Sequence, residues 1–165
     1  MGDMAKMSIL LQEEGMEKFT CRPVKKKTYS ESREFFSSRL ETDNLCALGI
    51  YITSKGTSER KIAGRIILSD FNPRNKSAEL GYYMIPEYRN KGYMRKSLKI
   101  LCEFMLIKKG FNKLYAQTAE FNHSSMALLE SLNFNCDATL RKHHYFEGVF
   151  YNDKIFSLIK EDISS

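Results

Sequence analysis

The residues best suited to chemistry lie between Ala78 and Met94. The run from Ala78 to Ile85 is rich in strand-forming types and reads as a strand. It leads into Arg89, Asn90, Lys91, Gly92, Tyr93 and Met94, where a helical period begins. A strand feeding a helix through such a loop makes an anion cradle. The first backbone N–H groups of a helix have no partner within it, and the helix dipole adds partial positive charge there. Gly92 lets the backbone approach a phosphate closely, and Arg89 and Lys91 add full charges. The plain alternative is a solvated turn with a glycine at a helix start. Neither a P-loop signature nor G-x-G-x-x-G is present, which disfavours the nucleotide folds that carry those fingerprints.

Other reactive side chains are scattered. Cys21, Cys46, Cys102 and Cys136 are far apart and form no C-x-x-C pair. Three lie in apolar runs, which suits buried thiols in a reducing cytoplasm better than a disulfide framework or a metal site. His143 and His144 are adjacent, so on a strand they face opposite ways, and no metal is expected. The net charge of +6 suits an anionic partner such as a polyphosphate cofactor, a nucleic acid or a membrane surface. No stretch approaches the roughly 18 apolar residues of a membrane span, and no small-residue cleavage site follows Met1–Leu11. Neither a membrane segment nor a signal peptide is expected.

Holding the Arg89–Met94 loop in place takes a sheet and helices. The 165 residues are 42% apolar and 28% charged, without repeat or composition break, so one domain is expected over 1–165. Met4 to Lys18 reads as an amphipathic helix, with Met4, Met7 and Leu11 at helical spacing. Arg22 to Lys27 is a basic linker. Thr28-Tyr-Ser-Glu31 has the form of a capping box, opening a helix that runs to about Leu40 with Phe36 on its apolar side. Strands are predicted over Leu45–Thr53, Ile62–Leu68 and Ala78–Ile85, separated by a polar turn at Ser54–Arg60 and a loop at Asn72–Asn75.

A helix over Gly92–Lys109 buries Met94, Leu98, Leu101 and Met105, and Gly110 ends it. Lys113–Ala119 reads as a buried strand and Asn122–Leu132 as a short helix. Strands over Ala138–Phe146 and Phe150–Ile159 turn at Glu147-Gly148. The order gives an α/β (α+β) fold, a mixed sheet with helices packed on it.

Arg89-x-x-Gly92-x-Met94 resembles the coenzyme A pyrophosphate loop, R/Q-x-x-G-x-G/A, of the GNAT superfamily of N-acetyltransferases. The flanking blocks extend the likeness: Ala-Glu-Leu-Gly-Tyr before the loop, Asn122-x-x-Ser125, Leu129-Glu-Ser-Leu-Asn-Phe134, Tyr145-Phe-Glu-Gly and Tyr151-Asn-Asp153. Over residues 28–160 the chain is similar to the branch containing ribosomal-protein N-terminal and polyamine acetyltransferases. The resemblance implies a mostly antiparallel central sheet flanked by helices, here with the usual first strand missing. It implies transfer of an acetyl group from acetyl-CoA to a primary amine, with no metal.

In such a site Met84 and Ile85 offer backbone groups to the pantetheine arm. The loop Arg89, Asn90, Lys91, Gly92, Tyr93 and Met94 holds the pyrophosphate, and Asn122 touches the cofactor from the next helix. Asn122 is also a favoured N-cap, and both roles can coexist. Glu79 matches the position of a general base, and a protonated amine does need to lose a proton. An exposed strand charge is its plain alternative. Met94 stands where glycine or alanine is usual, so its side chain must point away from the phosphates. Leu129 stands where many members carry a tyrosine acid, which leaves Ser125 as a donor to the departing thiolate.

The acceptor stays open among polyamines, antibiotics, amino-acid derivatives and peptide N-termini. Two other readings remain: a coenzyme A-binding sensor without turnover, and a basic nucleic-acid-binding module. The second is disfavoured because basic residues are interleaved with acids. With the first strand missing, the Leu45–Thr53 strand is expected at a sheet edge, covered in a homodimer.

Overall fold

In the computed structural model, residues 2–20, 25–40, 45–53, 56 and 58–163 are described. The expected first helix is divided in two. Helix α1 (Gly2–Glu13) stops just before Gly15, whose φ of +62° turns the chain out of the helix, and a 3₁₀ turn follows at Met16–Phe19. Left-handed backbone of this kind favours glycine, and it marks a helix end. Cys21 and residues 22–24 of the expected linker lie outside the described residues.

Helix α2 (Tyr29–Leu40) opens on the predicted capping box. Thr28 donates to Glu31 Oε2 from its backbone N–H at 2.7 Å and from Oγ1 at 2.9 Å, while Glu31 N–H returns a bond to Thr28 Oγ1 at 3.3 Å. Reciprocal bonding satisfies donors that the first turn leaves free. These bonds, with nearby lysines, hold the Glu31 carboxyl below the usual range.

Six strands form one sheet: β1 (Leu45–Thr53), β2 (Arg60–Asn72), β3 (Ser77–Met84), β4 (Lys113–Ala119), β5 (Asn135–Phe146) and β6 (Val149–Ile159). Their spatial order is β1-β2-β3-β4-β6-β5, and every neighbouring pair is antiparallel except β3–β4. No strand precedes α1 among the described residues, and β1 is an edge strand as expected. The polar turn at Ser54–Arg60 falls partly outside the described residues, and Arg60 itself begins β2. Glu147 and Gly148 both take positive φ, +47° and +81°, as a two-residue hairpin turn between β5 and β6 requires.

Helix α3 (Tyr93–Glu103) continues as a π-helical turn, Phe104–Lys108, so the single helix expected to Lys109 widens in its last turn. Gly110, at φ +71°, then lets Phe111 N–H reach back to the Met105 carbonyl. Helix α4 (His123–Glu130) is shorter than its expected span, and a final short helix α5 (Lys160–Ile163) was not foreseen.

Strand alternation gives the sheet two unlike faces. Ile66, Leu68, Ala78, Leu80, Leu114, Ala116, Phe156 and Leu158 share one face and are all buried. They pack with Met94, Leu98 and Leu101 of α3, Met105 of the π-helical turn that continues it and Leu129 of α4, so the predicted helical stripe is the core. The opposite face carries Arg65, Ser69, Glu79, Tyr115, Gln117, Asp153 and Ser157, and α1 lies against its Arg65 end. Of the described cysteines only Cys102 is buried; Cys46 is half-buried and Cys136 exposed, which corrects the expectation of three buried thiols.

Candidate active site

The β3–β4 ladder covers only Ser77–Glu79 against Lys113–Tyr115. Beyond the Glu79–Tyr115 pair the two strands part and leave a wedge-shaped gap in the sheet. On its other side β3 stays paired with β2 as far as Met84, and Ile85 N–H donates to the Ala63 carbonyl at 2.9 Å. Backbone groups of alternate residues point to opposite edges of a strand. Leu80, Tyr82 and Met84 therefore turn theirs toward the gap. Of the two residues expected to offer backbone to a cofactor, Met84 faces the opening, and Ile85 directs its N–H to β2.

The chain then crosses a 3₁₀ turn, Pro86–Tyr88, and enters the loop. Asn90 and Gly92 take φ of +58° and +76°, alternating with ordinary residues, which makes a concave run of backbone N–H groups. Gly92 caps α3 without any side-chain bond to its first turn, and a Cβ at Gly92 would meet nothing within 4 Å. The groups at the start of α3 thus face open space, as an anion site requires. Lys91 is exposed, with Nζ 5.8 Å from the Tyr88 ring centroid. Met94 is buried in the core, so its side chain does point away from the loop's open side.

Arg89 is held by its own fold. Its Nε donates to the Met84 carbonyl at 2.9 Å and its Nη2 meets Glu14 Oε2 at 2.6 Å. Tyr83 donates to Glu14 Oε1 at 2.6 Å, and burial together with this bond pushes the Tyr83 phenol up. Arg89 therefore ties the loop to the chain just past α1. Nothing about Glu14 in the sequence pointed to this contact.

Glu79 is half-buried at the point where the gap begins, on the polar face of the sheet. Ser125 lies in the first turn of α4, and its Oγ is 2.7 Å from Tyr82 Oη. This hydroxyl pair joins β3 to α4 across the gap. Burial pushes the Tyr82 phenol up to about 12, against a lowering by the Ser125 bond, so it stays protonated near neutral pH. Tyr82 was missed, although its place on the apolar side of an alternating strand is readable. Leu129, at the expected tyrosine position, is fully buried core.

Asn122 is the N-cap of α4, accepting from Ser125 N–H at 3.4 Å and from Ser124 Oγ at 3.2 Å. Its Nδ2 donates to Thr118 Oγ1 at 2.9 Å, so the amide locks α4 to the end of β4. Among the described residues no group of three or more His, Cys, Asp or Glu could hold a metal ion. None of the described helices is long and apolar enough to cross a membrane.

A model of the acetyltransferase (GNAT) domain family matches residues 2–135. The chain is 26% identical over 132 residues to the SPbeta prophage-derived N-acetyltransferase YokL of Bacillus subtilis, covering 79% of this chain and 70% of that protein. Further relatives are spanned over little more than half of their length, 57% and 55%. The fold superposes on spermidine N-acetyltransferase from Vibrio cholerae in complex with CoA and spermine, with a TM-score of 0.86 and 16% identity over 99% of this chain and 94% of that one. It also superposes on RimL, a ribosomal L7/L12 alpha-N-protein acetyltransferase in complex with coenzyme A, with a TM-score of 0.81 and 15% identity over 95% and 86%.

Proposed function

The chain belongs to the acetyltransferase (GNAT) domain family and is an N-acetyltransferase that uses acetyl-CoA, and from that premise we propose which residues carry the transfer and what accepts it. Acetyl-CoA supplies an acyl group already activated as a thioester. The observation that supports its place here is the parted β3–β4 ladder, which opens beside the uncapped start of α3. Backbone groups of Met84, at the edge facing the gap, bind the pantetheine arm as an added strand would, with Ile85 fixing that edge through Ala63. Asn90, Lys91, Gly92, Tyr93 and Met94 hold the pyrophosphate through backbone N–H groups and the Lys91 charge. Arg89 fixes the shape of the loop from the Glu14 side. Asn122 keeps α4 in register beside the cofactor.

Glu79 receives a proton from the acceptor nitrogen, directly or through water, so that a lone pair is available for attack. Ser125 Oγ, oriented by the Tyr82 phenol, donates to the sulfur as it leaves. The acetyl group passes directly to the acceptor, without an acyl-enzyme. The acceptor is a primary amine, drawn from polyamines, antibiotics, amino-acid derivatives and peptide N-termini. The solved structures of like fold include one that acts on spermidine and one that acts on a ribosomal protein N-terminus.

The same reading takes 1–165 as one domain in a reducing cytoplasm, which the free thiols of Cys46, Cys102 and Cys136 suit. It also includes a homodimer covering β1, an edge strand with Leu48 and Tyr51 exposed. Thermal unfolding tests the cofactor site. Acetyl-CoA is expected to raise the Tm, and Gly92→Glu to abolish that rise by adding a side chain and a negative charge where phosphate must sit. An unaltered rise in the variant would remove this loop from the site.

A further inference from the structure

Three glycines lie inside the described strands: Gly49 in β1, Gly64 in β2 and Gly81 in β3. Glycine weakens a strand, so each one needs a reason. For two of them the reason is a close neighbour. A Cβ at Gly64 would lie 2.8 Å from the Tyr83 carbonyl oxygen, and one at Gly49 would lie 2.7 Å from Tyr51 Cε2. At Gly81 a Cβ would meet nothing within 4 Å among the described residues, and the backbone there is outside the left-handed region that favours glycine. The β2–β3 register runs regularly through it, so no bulge demands it either. Gly81 is also exposed. The remaining reason for glycine inside a strand is the close approach of a ligand.

Its neighbours make a notch. Gly81 follows Glu79 by two residues and Tyr83 follows Gly81 by two, so all three share the α1 face of β3. Rows of paired residues cross the sheet at each. One row is Ser69, Glu79 and Tyr115, with the Tyr115 phenol donating to Asp70 Oδ2. Another is Arg65 and Tyr83, with the Tyr83 phenol tied to Glu14. Between these ridges lie Ala47, Ile67 and Gly81, a lower apolar row that ends at the edge of the gap.

We propose that Gly81 is the specificity-determining residue of the acceptor site, the place where the carbon bearing the amine passes over bare backbone to reach the thioester; the proposal rests on the acetyltransferase reading above. With the pyrophosphate at Asn90–Met94 and the pantetheine arm at Met84, the thioester lies farther back along β3. Ser125 Oγ, bonded to Tyr82, meets its sulfur there, next to Gly81. The opposite face of the sheet is closed by α3 and α4. The acceptor therefore enters from the α1 side, with Glu79 on one flank of its nitrogen and Ile67 as an apolar floor for its carbon. The chemistry recognised is a primary ammonium on a slim aliphatic carbon. A side chain at position 81 rises out of the sheet, whereas the pantetheine arm lies in its plane as an added strand does. Such a side chain competes for space with the acceptor and leaves the cofactor alone.

Filling the notch separates this role from a structural one. Gly81→Ala should leave the Tm unchanged or raised, because alanine fits this backbone and loses less chain entropy on folding. Gly81→Val should also fold, since valine suits a strand. Both variants should keep the wild-type thermal shift with acetyl-CoA and its KM. With spermidine and a peptide with a free N-terminus as probes, the acceptor kcat/KM should fall about 10²-fold in Gly81→Val and less in Gly81→Ala. The loss should be steeper for the peptide, whose amine-bearing carbon is branched. A kcat/KM within about threefold of wild type for both acceptors in Gly81→Val overturns the proposal. So does a Gly81→Ala protein with a lowered Tm or a lost acetyl-CoA shift, which would give the glycine to the fold or to the cofactor. Either result leaves the acetyltransferase reading standing. Absence of the thermal shift in the wild type overturns both.

Discussion

The two faces of the sheet are made from the same strands and solve opposite problems. On the α3–α4 side, alternate residues from Ile66 to Leu158 are apolar and shut away from water. On the α1 side the residues in between include Arg65, Ser69, Glu79, Tyr115, Gln117 and Asp153, beside the apolar Ile67, Ala119 and Ile155. Arg65 shows what this second arrangement entails. Its guanidinium bonds to Ser8 Oγ at 2.6 Å and lies near the Met4 carbonyl, with burial drawing its pKa down to about 10. Such a face stabilises the fold less than an apolar one of equal area, because polar groups gain little net on leaving water. Stability is thus supplied mostly by one face, and chemistry mostly by the other.

The largest expected effect tests the chemical side. Glu79→Gln keeps the shape and removes the basicity, so kcat should fall about 10²–10⁴-fold with acetyl-CoA affinity and Tm little changed. Near-normal kcat at pH 7 would take Glu79 out of catalysis. Next, Leu114→Ala on the apolar face should destabilise by about 2–5 kcal/mol in denaturant titration while the surviving folded protein keeps its kcat. A variant that loses turnover and keeps its stability would mean that the division between faces is false.

The smallest effect concerns Asp137, which bonds to Lys113 Nζ at 2.5 Å and to Ser157 Oγ at 2.7 Å. Those two bonds, Lys113 first, hold its carboxyl below the usual range. A carboxyl lowered on folding stabilises fully above its unfolded pKa and loses that contribution as pH falls through the folded value. Asp137→Asn should therefore lower stability at pH 7 by no more than about 1 kcal/mol, since the pair is exposed and screened. The difference from wild type should shrink as pH falls through and below the ordinary carboxylate range. A gap that persists in acid would point to packing instead of charge.

The apolar face was legible because its signal is periodic. Met94, Leu98, Leu101 and Met105 repeat at helical spacing, and all four are buried. Strand limits at Leu45–Thr53 and Lys113–Ala119 coincide with the structure for a related reason, since turn residues or breaks in the apolar run bound them. The capping box and the Glu147-Gly148 turn were readable as local chemistry.

What the sequence hid is contact between distant residues. Arg89 looked like a free cation, yet its partner Glu14 lies 75 positions away on the far side of the sheet. The Tyr82–Ser125 bond joins positions 43 apart and depends on how α4 settles over the gap. The contact of His144 with Asp153 was not foreseen. The turn at Glu147-Gly148 sets Phe146 opposite Val149 and His144 opposite Tyr151, which brings Asp153 within diagonal reach. That inference was available, but the irregular register between Leu140 and His144 could not be read from the residues.

The short β3–β4 ladder has a mechanical consequence. Three ladder pairs join a plate of β1–β3 to a plate of β4–β6, and past that seam the plates are held together by side chains instead of a strand ladder. A cofactor lying in the seam would bond to the edge of one plate and brace the other, doing the work of a missing strand. Under the proposed binding mode, each release of coenzyme A would take part of the sheet with it. The folded lifetime of the protein would then follow the concentration of its own substrate, so that starvation for acetyl-CoA thins the population of enzyme as well as its turnover.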